Sequence, residues 1–196
     1  MMGLSVDPMI AWLLRLALAG VFIQAAVHKA RDLDAATQII ADYKVTPVEW
    51  AHFHAVAATL AEAAVAVGLV VSGFGGPGPG ALATVGSLAA LGAIALLVLY
   101  SAGIGVNLAR GRRDIDCGCL GPAGKSPRIG PWLLVRNGVL ASCAGALVLM
   151  PVSSRPLYWI DFLSLAGGLL ALTLVWVAVH VMAATAPLVR SRETST

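Results

Sequence analysis

Five long apolar runs constrain this chain more than any other feature. They cover Pro8–Val27, Pro47–Ser72, Ala81–Val106, Pro131–Met150 and Leu157–Ala184. A helix rises ~1.5 Å per residue, so about twenty residues cross a hydrocarbon layer ~30 Å thick. Inside lipid each backbone N–H and C=O must find a partner within the protein, which a helix provides by itself. The composition agrees: 59% of residues are hydrophobic and 12% charged, against about 25% charged in soluble domains. The expected fold is all-α, a polytopic membrane helix bundle with a four-helix core plus one. The expected organisation is one domain over residues 1–186 and a polar tail over 187–196. The N-terminal run lacks a basic lead and a cleavage site, so it reads as a retained span in the lipid bilayer.

The connections carry the local signals. Between the first two runs, Leu33, Ala36, Ile39, Ile40 and Tyr43 recur at helical spacing among polar residues. That pattern predicts a short helix lying on the membrane surface. Thr46, Pro47 and Glu49 predict a capped start for the second span, with Pro47 as its first helical residue. Gly73–Gly80 is a tight uncharged turn. Pro131 and Trp132 open the fourth span, and Pro151–Pro156 is a turn.

The connection over 107–131, NLARGRRDIDCGCLGPAGKSPRIGP, differs from the others. It carries two of the three cysteines, Cys117 and Cys119, separated by Gly118. Two residues apart, their Cα atoms can reach the ~4.4–6.8 Å that a disulfide requires. The ring so closed is small, which favours an exchangeable bond. Arg110, Arg112 and Arg113 favour thiolate, whereas Asp114 and Asp116 oppose it. Three readings follow: a redox dithiol, a soft-metal site helped by His28 or His52, and an incidental pair in a glycine-rich turn. The third cysteine, Cys143, reads as a small buried apolar residue.

Charge sets a direction across the membrane. Lys29, Arg31 and Lys44, then Arg110, Arg112, Arg113, Lys125 and Arg128, then Arg190 and Arg192 fall on one face. They are ten of the thirteen basic residues, and the positive-inside rule places that face in the cytoplasm. The excess of +3 reads as a topology and headgroup signal, not as nucleic-acid binding.

Polar residues within spans are the remaining candidates. Glu62 shares a helical stripe with Ala51, Ala55, Ala58 and Ala66, so it should face a close helix contact. Its readings are a buried ion pair that sets register, or a proton or quinone site. Arg15, about two turns into the first span, is the expected partner. Arg136 and Asn137 follow directly after the cysteine connection. Arg136 either snorkels to headgroups or supports the cysteines. His28, His52, His54 and His180 lie towards the cysteine face.

Several of these motifs resemble the MauE/DoxX family of redox-associated membrane proteins. Arg15, Lys29, Asp32, Glu62 and Gly68 follow the pattern of its first half. Val106-Asn107-Leu108, then Arg110-Gly111-Arg112, then Asp116-Cys117-Gly118-Cys119-Leu120-Gly121, then Arg136-Asn137 are similar to its MauE-like signature. Leu120 stands where that signature carries an aromatic residue. The resemblance spans about residues 10–150. It implies a multi-pass protein of the bacterial inner (plasma) membrane that assists maturation of an exported redox enzyme. It also implies a thioredoxin-like partner, a disulfide-containing client and an outward-facing cysteine connection, opposite to the charge count. In this reading Cys117 and Cys119 cycle between dithiol and disulfide. Arg113, Arg136, Asn137, Asn107 and His28 support them, and electrons pass to or from a membrane carrier such as quinone. No metal is required. The rival readings are a non-catalytic membrane assembly or scaffold subunit with structural cysteines and, after it, a metal carrier.

Overall fold

The computed structural model describes residues 5–75, 80–112, 115 and 129–193. The described chain forms six α-helices: α1 (Pro8–Arg31), α2 (Leu33–Asp42), α3 (Ala51–Gly73), α4 (Ala81–Ala109), α5 (Pro131–Leu149) and α6 (Trp159–Glu193). A 3-10 turn, Val48–Trp50, leads into α3. Five helices are long and apolar enough to cross a membrane, as the five runs predict.

Local chemistry sets the helix ends. The Asp7 side chain accepts from the Met9 amide at 2.9 Å, and Pro8 occupies the first turn, where no amide partner is needed. Asp32 has non-helical backbone angles that end α1, and its side chain accepts from the Ala35 amide at 2.9 Å to start α2. The first span therefore runs on to Arg31, four residues beyond the expected Val27, and Lys29 becomes a helical residue. Helix α2 ends with Lys44 in the left-handed region, at φ 48°. The expected capping box before α3 does not form. Pro47 has extended angles, sits ahead of the helix, and no side chain caps the turn. At the other end of the chain, α6 continues through Pro187 to Glu193, so residues 187–193 of the expected polar tail are helical. Proline removes one amide donor, and the flanking helix-forming residues carry the helix past it.

Helix α1 packs on α3, α3 on α4, α4 on α5, and α5 returns to α1. These four close a ring, while α6 touches α1 from outside and α2 lies across α3 and α1. The core holds Leu18, Phe22, Leu69 and Leu97 among Ala66, Ala90, Ala93 and Ala144. Cys143 packs against it as a half-buried free thiol. Small residues let the backbones close: a Cβ on Gly68 would lie 2.8 Å from that of Ala89, and one on Gly86 2.8 Å from that of Ser72. In lipid, where apolar burial gives no net drive, such close packing holds helices together.

The end of the ring remote from α2 is tied by a clamp. Val6 pairs with the segment after α5, its amide donating to Pro151 and its carbonyl accepting from Ser153, both at 2.9 Å. Arg155 donates to both oxygens of Asp7 (2.6 and 2.8 Å) and both of Asp161 (2.8 Å each). It thereby joins the start of α1 to the start of α6. The hydrogen bonds from Arg155 hold the Asp7 carboxyl below its ordinary range, against opposing desolvation. A carboxyl with a depressed folded-state pKa stabilises the fold fully above its unfolded value, about 3.9, and loses that contribution as pH falls through the folded value. Asp7→Asn keeps a capping side chain but no charge. Wild-type protein in detergent should therefore melt higher than Asp7→Asn at pH 7, and the two should converge below about pH 4. A constant gap in melting temperature across that range would refute the assignment.

Candidate functional site

The opposite half of the ring, at the ends of α4 and α5 that the cysteine connection joins, contains two layers of buried polar groups. The deeper layer is centred on Glu62, which is fully buried. Its Oε1 accepts from Lys29 Nζ at 2.5 Å and from Tyr100 Oη at 2.6 Å. The Lys29 ammonium also lies 5.4 Å from the centre of the Tyr100 ring. Helical side chains lean towards the N-terminus of their own helix. Because α1 and α3 are antiparallel, Lys29 leans down into the bundle while Glu62 leans up to meet it. Ala51, Ala55 and Ala66 of the stripe around Glu62 are buried, as its spacing predicts, and Ala58 is half-buried. The partner differs from the expected one: Arg15 lies in the other half of α1 and does not bond Glu62. Oε2 of Glu62 is buried and has no hydrogen-bond partner among the described residues.

The layer nearer the connection is built on two asparagines. Asn107 is fully buried. Its amide donates to the carbonyls of Tyr43 and Gly103, both at 3.0 Å, and its Oδ1 accepts from Arg112 at 2.9 Å. The Tyr43 ring lies over Gly103, where a Cβ would meet it at 3.3 Å, so α2 ends close enough for Asn107 to reach. Asn137 is 1% exposed. Its amide donates to Ser101 at 3.2 Å, and its Oδ1 accepts from Arg136 at 3.0 and 3.3 Å. The Arg136 guanidinium lies between the indoles of Trp132 and Trp176, 5.7 and 5.4 Å from their ring centres. Each asparagine thus holds one arginine, one at the exit of α4 and one at the entry of α5. Ile115 and Ile129 join in a 3.0 Å backbone hydrogen bond and pack with Ile104 and Leu133 above α4 and α5.

The sequence-derived candidates distribute unevenly over this geometry. Asn107, Asn137, Arg136 and Glu62 come together in the loop-side half. His28 is half-buried at the end of α1 and makes no hydrogen bond among the described residues. His52 approaches Thr37 at 3.4 Å, and His54 Nδ1 lies 2.8 Å from the Trp50 carbonyl, so the two point apart as their spacing requires. Arg113, Cys117, Cys119 and the His180 side chain lie outside the described residues. Tyr100 and Ser101 are the additions, while Lys29 and Arg112, known from the sequence as loop charges and motif residues, gain defined partners. Lys29 reads as a loop charge only while α1 is taken to end at Val27. A phenol and a hydroxyl at consecutive positions, in a span whose preceding twelve residues carry no polar side chain, were the available signal for Tyr100 and Ser101. Chemically, the deeper layer is a bonded phenol, carboxylate and ammonium able to hold a proton, and the outer layer presents two fixed guanidiniums.

Comparison with known proteins bears on the identity of this arrangement. Residues 7–150 match the family model described as methylamine utilisation protein MauE. The chain belongs to the MauE family. The match contains both polar layers and the whole cysteine connection. Among curated MauE-family relatives, the chain is 38% identical to the methylamine utilization protein MauE of Paracoccus denitrificans over 143 residues, covering 72% of this chain and 70% of that protein. It is 34% identical to that of Paracoccus versutus over 166 residues, covering 84% and 81%. It is 29% identical to that of Methylophilus methylotrophus over 176 residues, covering 90% and 87%. No solved structure matches the chain.

Proposed function

We propose that this multi-pass membrane protein of the MauE family is a thiol–disulfide redox protein whose Cys117-Gly118-Cys119 segment supports disulfide formation in an exported redox enzyme. One observation carries the reading. Two buried asparagines fix two guanidiniums, Arg112 and Arg136, at the two ends of the connection that holds the cysteines. A fixed cation favours the thiolate, and the sulfur that leaves as thiolate when a disulfide is attacked leaves faster when it is so stabilised. In the proposed step a client thiolate attacks the Cys117–Cys119 disulfide and forms a mixed disulfide. A second client thiolate then displaces it, leaving the client oxidised and the pair as two thiols. A two-electron oxidant of the quinone class takes two electrons and two protons from the pair and restores its disulfide. A thioredoxin-like protein is the proposed intermediary to the client, and the bacterial inner membrane the proposed location. The deeper Lys29–Glu62–Tyr100 layer holds helix register beneath the site.

Labelling of intact cells with a membrane-impermeant thiol reagent tests this, with and without prior reduction. Label that enters Cys117 and Cys119 only after reduction supports an outward, disulfide-forming pair. Thiols fully labelled without reduction, and unchanged by it, would exclude the redox reading and favour a scaffold.

A further inference from the structure

A cavity of about 1060 Å³ opens at the end of the ring remote from the cysteine connection. Helices α1, α3, α4 and α5 surround it, and the 150–157 segment contributes its rim. Trp12, Arg15, Ser72, Ser87 and Ser154 line it alongside apolar residues such as Leu147. Its size is at the upper end of small-ligand sites, about 300–1,000 Å³. It is a half-open cleft and not a sealed void, so a ligand can enter it, and what it holds depends on a group able to attract the ligand.

Arg15 supplies one. It lies two turns into a membrane span, and among the described residues it makes no ion pair or hydrogen bond. Glu62 is engaged by Lys29, and Asp7 and Asp161 are both engaged by Arg155. The segments 1–4 and 76–79, near the same end in sequence, contain no acidic residue. An ionised side chain within a span is expensive unless it faces an opposite charge or a wet cavity. Seven residues of rise set the Arg15 Cα ~10 Å inside the start of α1. The side chain leans back towards that start, which brings the guanidinium towards the level of lipid phosphates. A guanidinium fork matches a phosphate with two parallel hydrogen bonds, and the apolar wall accommodates a chain beneath it.

We infer that this cavity binds a phosphate-bearing anion through Arg15, with the phosphate of an anionic phospholipid or free phosphate as its source. The test uses the full chain, purified and delipidated in detergent, followed by native mass spectrometry and thermal melting. One arm compares phosphatidylglycerol with diacylglycerol of the same chains, which lacks the phosphate. The other arm adds inorganic phosphate alone. Wild-type protein should retain phosphatidylglycerol about tenfold better than diacylglycerol, the factor set by ~1.4 kcal/mol. Arg15→Gln should abolish that preference and Arg15→Lys should keep part of it. A melting temperature raised by inorganic phosphate in wild type but not in Arg15→Gln, without lipid preference, would identify free phosphate as the source. Equal retention of phosphatidylglycerol by wild type and Arg15→Gln overturns the inference, as does binding of neither probe. Where Arg15→Gln does not fold, Ser87→Phe decides, because it fills the cavity and leaves the charge. Unchanged retention by that variant overturns the inference equally.

Discussion

Glu62→Ala is expected to destabilise the bundle by roughly 3–5 kcal/mol, the range for removing one member of a buried ion pair. The carboxylate is fully buried, and its Oε1 takes bonds from both Lys29 and Tyr100. Without it, an ammonium that is 14% exposed and a phenol lose their acceptor together. Lys29→Met should be at least as harmful, because it leaves a fully buried carboxylate with Tyr100 alone. The double variant Lys29→Met/Glu62→Leu should cost much less than the sum of the singles, since neither charge then remains to be desolvated. Thermal melting of the four proteins in one detergent measures this as a double-mutant cycle. Additive losses would mean that the pair does not act as a unit.

Cys117→Ser and Cys119→Ser should each abolish client disulfide formation, and the double variant should be no worse than either single. A disulfide needs both sulfurs, so the two residues act as one unit and their losses do not add. One of the single variants should also trap a mixed disulfide when its remaining thiolate attacks the disulfide of an oxidised partner, because the second loop thiol that would displace that partner is gone. Non-reducing electrophoresis of trapped membranes reads this directly. Cys143→Ser is the control, since Cys143 is packed with the apolar core of the ring and should leave maturation unchanged. Full maturation by both loop variants would discard the redox assignment and leave the family role to a scaffold. The asparagine layer gives this outcome a structural companion. Asn137→Leu keeps the volume near α5 but removes one acceptor that positions Arg136, so it should slow client oxidation without removing the dithiol.

Much of the bundle was readable because its determinants are local. Apolar length and the proline that opens α5 act within one or two turns, so a linear reading reaches them, and the Asp7 and Asp32 caps are local signals of the same kind that this reading passed over. The alanine stripe identified the buried face of α3 for the same reason. The partner of Glu62 was not readable in this way. Arg15 and Lys29 lie on the same helix, and distance along the sequence favours neither. Antiparallel packing, with each side chain leaning towards its own helix start, brings Lys29 to Glu62 and turns Arg15 towards the other end.

The cysteine connection marks the same boundary. Its residue types, spacing and neighbouring arginines are properties of the sequence, and they suffice to single it out. Tertiary structure decided what supports it at its two ends. Asn107 and Asn137 stand thirty residues apart in sequence, and each bonds an arginine close to it in the chain, but the long-range partner that fixes each amide, Tyr43 for Asn107 and Ser101 for Asn137, is supplied by the packing of α2 and α5 against α4. By itself the sequence determined the number of spans, their helical nature and the placement of the thiols, because hydrophobic length and backbone satisfaction in lipid are one-dimensional constraints. Which buried charges meet, what anchors the two asparagine amides and where a cavity remains were decided only by packing, because those depend on helix direction and rotation in three dimensions.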